Sequence, residues 1–141
     1  LRYGDLIPLF ADQPLLPLKQ LRQIDNALLV SGIANPEQLR QDLIPHCQRL
    51  SLLTFPDHHA FTKRDAERIN ETFRLLPADE KIIITTAKDA VRLRLIEDKL
   101  SKTVRTSIYV LPIKVEFLRD EERTFQRIVV DYVRKTQSKQ L

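Results

Sequence analysis

Glycine is scarce: the 141 residues hold only two, Gly4 and Gly32. Neither GxxxxGK[ST] nor GxGxxG occurs, and two glycines can build neither, so this chain contains no complete glycine-rich phosphate loop. A single cysteine, Cys47, excludes an internal disulfide; near the end of an apolar helix pattern it reads as a small core filler. No apolar run approaches the ~18 residues that a helical membrane span needs, and a cytosolic setting is the default expectation. Repeats and low-complexity tracts are missing as well. So is a starting Met: Leu1-Arg2-Tyr3-Gly4-Asp5-Leu6-Ile7-Pro8 reads like the middle of an element, and a fragment is expected.

What is present suits a soluble globular domain, with 43% hydrophobic and 30% charged residues. A chain of this length buries roughly two-thirds of the surface it exposes when unfolded. The net charge of +4 suits an anionic partner: a nucleotide, a nucleic acid or a phospholipid surface. The densest basic run, Arg92, Arg94, Lys99, Lys102 and Arg105, reads as a solvated helix face and loop. No aromatic residues interleave with it as a base-stacking platform requires, so nucleic acid is not expected as a partner.

Residues 1–25 carry Pro8, Pro14 and Pro17 among Leu and Ile and read as a connector or edge strand, ahead of a domain over 26–141. From there strands and helices alternate. Ala27-Leu28-Leu29-Val30 predicts a buried strand within 26–32, and Asn35-Pro36 predicts a helix start with Asn35 as N-cap. A second strand is expected over 48–55. Thr62-Lys63-Arg64-Asp65 is a capping-box variant opening a helix with Ala66, Ile69, Phe73 and Leu76 on one face. Lys81 to Thr86 is the clearest strand, followed by a helix with Thr86 as N-cap and Ala90, Val91, Leu93 and Ile96 as apolar positions. A fourth strand is expected over 107–111, extended by 113–117 beyond Pro112. Phe125, Ile128, Val129, Tyr132 and Val133 mark a final amphipathic helix. The alternation predicts an α/β fold: βα units with a parallel sheet covered on both faces.

In such sheets ligands bind outside the carboxyl ends of the strands. The three strand-to-helix junctions are then the map of the site. Asp57-His58-His59, behind Pro56, is the sharpest feature: a carboxylate orients an imidazole for proton transfer, or the group ligates a divalent metal. The structural alternative has Asp57 capping a turn and both histidines on a solvated loop. Ser31-Gly32 allows close backbone approach by a ligand, or merely a sharp turn. Thr85-Thr86-Ala87-Lys88-Asp89 places hydroxyls and N–H groups at a helix start, where Lys88 adds charge toward a phosphate, or Thr86 and Asp89 simply cap the helix.

In this order and spacing, Ser31-Gly32-Ile33-Ala34-Asn35-Pro36, Phe55-Pro56-Asp57-His58-His59-Ala60-Phe61, Thr85-Thr86-Ala87-Lys88-Asp89-Ala90-Val91-Arg92-Leu93 and Leu111-Pro112-Ile113 resemble the second half of the tetraacyldisaccharide 4'-kinase family. The resemblance implies the C-terminal part of a P-loop kinase-like fold, transferring the γ-phosphoryl of ATP, with Mg²⁺, to the 4'-hydroxyl of a tetraacyldisaccharide 1-phosphate. It implies a place at the cytoplasmic face of the inner membrane in Gram-negative bacteria. The implied partners are an N-terminal half of the same chain, the lipid disaccharide and the inner-membrane surface. Asp57 and His58 take the catalytic positions, with His58 either activating the acceptor hydroxyl or placing Mg²⁺. Ser31, Gly32, Thr86, Lys88 and Asp89 are the implied cofactor-binding positions. Where the family pattern usually reads Thr-Glu-Lys-Asp, this chain has Ala87, so no role of that acid carries over. With the phosphate loop outside these residues, the chain alone is expected not to turn over.

Two rival readings stand beside it. Asp57-His58-His59-Ala60 echoes the motif of the DHH phosphoesterases, which use Mn²⁺ and need further acidic and histidine ligands. The only other histidine is His46, inside a helix pattern. The third reading is a non-catalytic α/β binding domain.

Overall fold

The computed structural model describes residues 2–10 and 12–114. Two short strands, β1 (Arg2–Tyr3) and β2 (Ile7–Pro8), open the chain. Then come β3 (Asn26–Ser31), α1 (Pro36–Leu43), β4 (Leu50–Thr54), α2 (Lys63–Leu75), β5 (Lys81–Thr86) and α3 (Ala87–Arg94). A short helix α4 (Lys102–Ser107) leads into β6 (Ile108–Leu111), and β7 (Ile113–Lys114) ends the described chain.

The local signals act as their chemistry requires. The Asn35 side chain accepts from the Gln38 amide, and Pro36 holds the first helical position, where its missing N–H is no loss. Thr62 and Asp65 close a full capping box on α2: Thr62 Oγ1 accepts from the Asp65 amide, and the Asp65 carboxylate accepts from the Thr62 amide at 2.8 Å. Replacing Thr62 by Ala is expected to lower stability by about 1 kcal/mol. The denaturant midpoint should fall accordingly with an unchanged slope.

The main sheet has five strands in the order β2-β6-β5-β3-β4. β4, β3, β5 and β6 are parallel, as the βα alternation predicts, whereas β2 runs antiparallel along β6, pairing Ile7 with Val110 and Pro8 with Tyr109. The sheet is therefore mixed, with proline tolerated on its edge. Leu6, Ile7, Leu9 and Leu21, all before residue 26, are buried in its core.

Helices cover both faces, and the strand order explains which helix lies where. The chain steps from β3 to β4, then returns across β3 to β5. With right-handed crossovers, a reversal of direction puts the connecting helices on opposite faces. Leu39 and Leu43 of α1 accordingly pack with Ala27, Leu29, Ile82 and Ile84. Ala66, Ile69 and Phe73 of α2 and Leu93 of α3 pack with Leu28, Val30 and Ile83 on the other side. Alternate residues of each strand feed alternate faces.

Several expectations need correction. Arg94, read as part of a solvated basic face, is 5% exposed and donates to the Leu9 carbonyl at 3.1 Å. Ser101 caps a further helix, α4, accepting from the Val104 amide at 3.2 Å, with Val104 buried. Ser107 ends that helix instead of starting the strand. β7 does not extend β6: it pairs antiparallel with β1, Tyr3 opposite Ile113. Pro112 brings no N–H to a continued ladder, and its carbonyl accepts from Gly4 instead. Val91 is 39% exposed; the inward face of α3 carries Asp89, Ala90 and Leu93. Leu52, expected in a covered strand, is 37% exposed because β4 is a sheet edge. The amphipathic helix at Phe125 to Val133 lies outside the described residues.

Candidate functional site

β3 and β5 are neighbours, but the chain leaves β3 toward β4 and leaves β5 toward β6. Their carboxyl ends therefore flank a topological switch point, the place where open α/β sheets bind ligands. All three junctions singled out in the sequence meet at this edge.

The β4–α2 loop supplies the exposed chemistry. The His59 amide donates to the Pro56 carbonyl at 3.2 Å, closing a turn around Asp57 and His58. His58 takes the left-handed region, φ 60°, rare for a residue with a Cβ. Its side chain is 76% exposed. Asp57 Oδ1 accepts from the His58 amide at 3.0 Å, and Oδ2 lies 3.4 Å from His58 Nε2. Across the crevice Lys88 Nζ donates to Asp57 Oδ1 at 3.2 Å. Lys88, Asp57 and His58 thus form a row, cation, carboxylate, imidazole, along the open edge.

The hydrogen bond from Lys88 is the main reason that the Asp57 carboxyl titrates below its ordinary value of 3.8, with the charges of His58 and Lys88 adding to it. Because the folded value is depressed, the pair's contribution to stability is present above the unfolded value and lost as pH falls through the folded one. Lys88→Met should shift the Asp57 titration upward. Carboxyl-carbon NMR against pH checks this, and an unmoved titration would remove Lys88 as the cause.

His59 points elsewhere. Its Nε2 lies 2.7 Å from Asp65 Oδ2, and its ring stacks on Phe55 at 5.3 Å with Phe61 edge-on at 5.6 Å. Burial pulls the Asp65 carboxyl upward, but hydrogen bonds from the Thr62 amide and from His59 outweigh it, and the net shift is downward. His59 is a loop anchor, a role that the sequence reading did not assign. Asp65, already marked as a cap six residues on, and the flanking Phe55 and Phe61 were the available signals.

Beneath the row the junctions turn inward. Thr86 caps α3, its Oγ1 accepting from the Asp89 amide at 3.1 Å and donating to Asp89 Oδ2 at 2.7 Å. The Gly32 amide donates to the same Oδ2 at 3.1 Å. A Cβ on Gly32 would lie 3.1 Å from the Pro56 carbonyl oxygen and 3.3 Å from Asp89 Oδ1. What approaches this glycine is therefore its own chain. Ser31 and Asp89 are fully buried and Thr86 is 7% exposed. Of the five implied cofactor-binding residues, only Lys88 presents its side chain openly, while Ser31, Thr86 and Asp89 present inward-facing side chains in this arrangement.

Among the described residues no group of three or more His, Cys, Asp or Glu side chains is placed to hold a metal. Mg²⁺ takes oxygen ligands and keeps several waters, whereas Asp57 already carries an ammonium at 3.2 Å. Asp57 and His58 do not fit a Mg²⁺ site by themselves, and a two-metal phosphoesterase centre has no ligand set among the described residues. A carboxylate beside an exposed imidazole is an arrangement suited to proton transfer.

Comparison with known proteins gives a family match that spans all three junctions. The family model described as tetraacyldisaccharide-1-P 4'-kinase matches residues 7–134. The chain is similar to the tetraacyldisaccharide 4'-kinase of Phocaeicola vulgatus, 44% identical over 135 residues, which cover 96% of this chain and 37% of the relative. The enzyme of that name from Parabacteroides distasonis is 39% identical over 132 residues, 93% of this chain and 36% of the relative. That from Bacteroides thetaiotaomicron is 38% identical over 142 residues, 95% and 37%. The chain spans little more than a third of the length of the curated relatives it matches. No solved structure matches it significantly. With a match running from β2 past the last described strand and taking in all three junctions, the chain belongs to the tetraacyldisaccharide-1-P 4'-kinase family.

Proposed function

We propose that this chain is the C-terminal portion of a P-loop kinase that transfers the γ-phosphoryl of ATP to the 4'-hydroxyl of a tetraacyldisaccharide 1-phosphate. The observation that carries the reading is the Lys88–Asp57–His58 row at the switch-point edge, in a chain of this family. His58, exposed and held at a left-handed turn, accepts the proton of the acceptor hydroxyl. Asp57, kept ionised by Lys88, stabilises the imidazolium that results. Lys88 stands where a phosphate would approach. Phosphoryl transfer depends mainly on positioning and on neutralising charge, so a modest set of groups suffices on this side of the reaction.

On this reading the phosphate-binding loop, which two glycines cannot build, comes from the part of the full-length polypeptide outside these 141 residues, and the Mg²⁺-holding acids are assigned to that part as well. The chain by itself accordingly transfers nothing. Its working place is the cytoplasmic face of the inner membrane, where the net charge of +4 favours an anionic surface. The test is transfer from ATP to tetraacyldisaccharide 1-phosphate by the full-length polypeptide, with His58 present and replaced. A rate that ignores His58 would remove it from the chemistry.

A further inference from the structure

We infer that Asp89 is a positioning residue of this site: an internal anion, seated at the switch point, that locks the three strand-end loops together and so sets the distance across which Lys88 reaches Asp57. In open parallel sheets the crevice between such strand ends is where a ligand's negative charge meets backbone N–H groups and a helix start. Here the chain's own carboxylate takes that place. Asp89 is fully buried, and its Oδ2 accepts from the Gly32 amide at 3.1 Å and from Thr86 Oγ1 at 2.7 Å. Arg92 Nη1 stands 3.7 Å from Oδ1. Burying a carboxylate is unfavourable unless donors and an opposite charge surround it. Oδ2 has its donors, while Oδ1 accepts no hydrogen bond among the described residues and has only the charge of Arg92 beside it.

The connections run from this carboxylate to the exposed row along two short routes, directly to the adjacent Lys88 and through Gly32 and Pro56 to Asp57. Gly32 follows β3, touches Asp89, and is so close to the Pro56 carbonyl that a Cβ would lie 3.1 Å away. Pro56 is followed by Asp57, and Asp89 is preceded by Lys88, the two residues bridged at 3.2 Å. Moving Asp89 moves both ends of that bridge. With no exposed surface, Asp89 acts through its neighbours and does not touch nucleotide or acceptor. Gly32 belongs to the same staple: its lack of a side chain makes room for Asp89 and Pro56.

The kinetic consequence rests on the kinase reading; the staple itself does not. Asp89→Ala and Asp89→Asn are to be made in the full-length polypeptide, with kcat, KM for ATP and hydrogen exchange at the Gly32 amide measured for each. Misplacing a catalytic pair by a fraction of an ångström slows turnover, so Asp89→Ala should lower kcat by about 10-fold or more, with KM for ATP moving less than about 3-fold. Asp89→Asn, which keeps the shape and one acceptor oxygen, should recover part of the loss. The Gly32 amide should exchange at least about 10-fold faster in Asp89→Ala, since its partner is gone. A raised KM for ATP with kcat retained would make Asp89 a nucleotide ligand and overturn the proposal, as would unchanged exchange at Gly32. If Asp89→Ala does not fold, Asp89→Asn decides on the same readouts. If the native polypeptide transfers no phosphate, the kinase reading fails, and exchange at Gly32 still decides for or against the staple.

Discussion

His58→Ala in the full-length polypeptide should lower kcat for phosphate transfer by about 100-fold or more, the usual worth of a positioned general base. KM for ATP should change little, because in the proposed mechanism His58 meets the acceptor hydroxyl and not the nucleotide. The fold should tolerate the change: the His58 side chain is 76% exposed, and removing it frees no buried partner. The left-handed backbone at this position is strained for His and Ala alike, so it adds little to the difference between them. His59→Ala is the control with the opposite signature. It removes the partner of Asp65 and the ring stacked on Phe55, so stability should fall, and activity should fall only as far as the loop is loosened. If the two variants exchanged signatures, the assignment of the base would pass from His58 to His59.

The largest effect on stability is expected from Phe73→Ala. Phe73 is 2% exposed and lies on the buried face of α2 against the sheet. Its ring also carries the Lys81 ammonium at 5.0 Å, while that ammonium donates to the carbonyls of Phe73, Arg74 and Leu76 at the end of the helix. Truncation therefore opens a cavity beneath α2 and loosens the cation that holds its last turn. A loss of about 3–5 kcal/mol is expected, read as a lower denaturant midpoint at an unchanged slope. A loss below about 1 kcal/mol would mean that the space collapses around Ala or that α2 packs less closely than described.

Much of this fold is legible because its signals are local. Asn35-Pro36, the Thr62–Asp65 box and the apolar Lys81 to Thr86 run each act within a few residues, and each element forms where expected. The features that the sequence reading missed depend on distant partners. Whether Ile113–Lys114 continues β6 or turns to another strand depends on Arg2–Tyr3, more than a hundred residues away, and nothing in its composition shows the pairing; 115–117, expected in the same extension, lie outside the described residues. The direction of β2 on β6 is equally non-local. α4 is six residues long, too short for hydrophobic periodicity to register as a separate helix within the basic run.

The same distinction holds at the site. Asp57, His58 and Lys88 were picked out for their chemistry, and the strand-end rule brings them to one edge. That Asp89 faces inward while Lys88 faces outward follows from the rotation of α3, which Val91, 39% exposed, had suggested wrongly and the buried Ile96 rightly. Gly32 was read as space for a ligand or a turn. It is space for Asp89, 57 residues further along the chain.

The most direct measurement is phosphate transfer from ATP to tetraacyldisaccharide 1-phosphate, assayed with the native full-length polypeptide and with the 141 residues alone. The account predicts transfer by the former and none by the latter. A folded full-length polypeptide that transfers nothing, or a robust rate from the 141 residues alone, would contradict it.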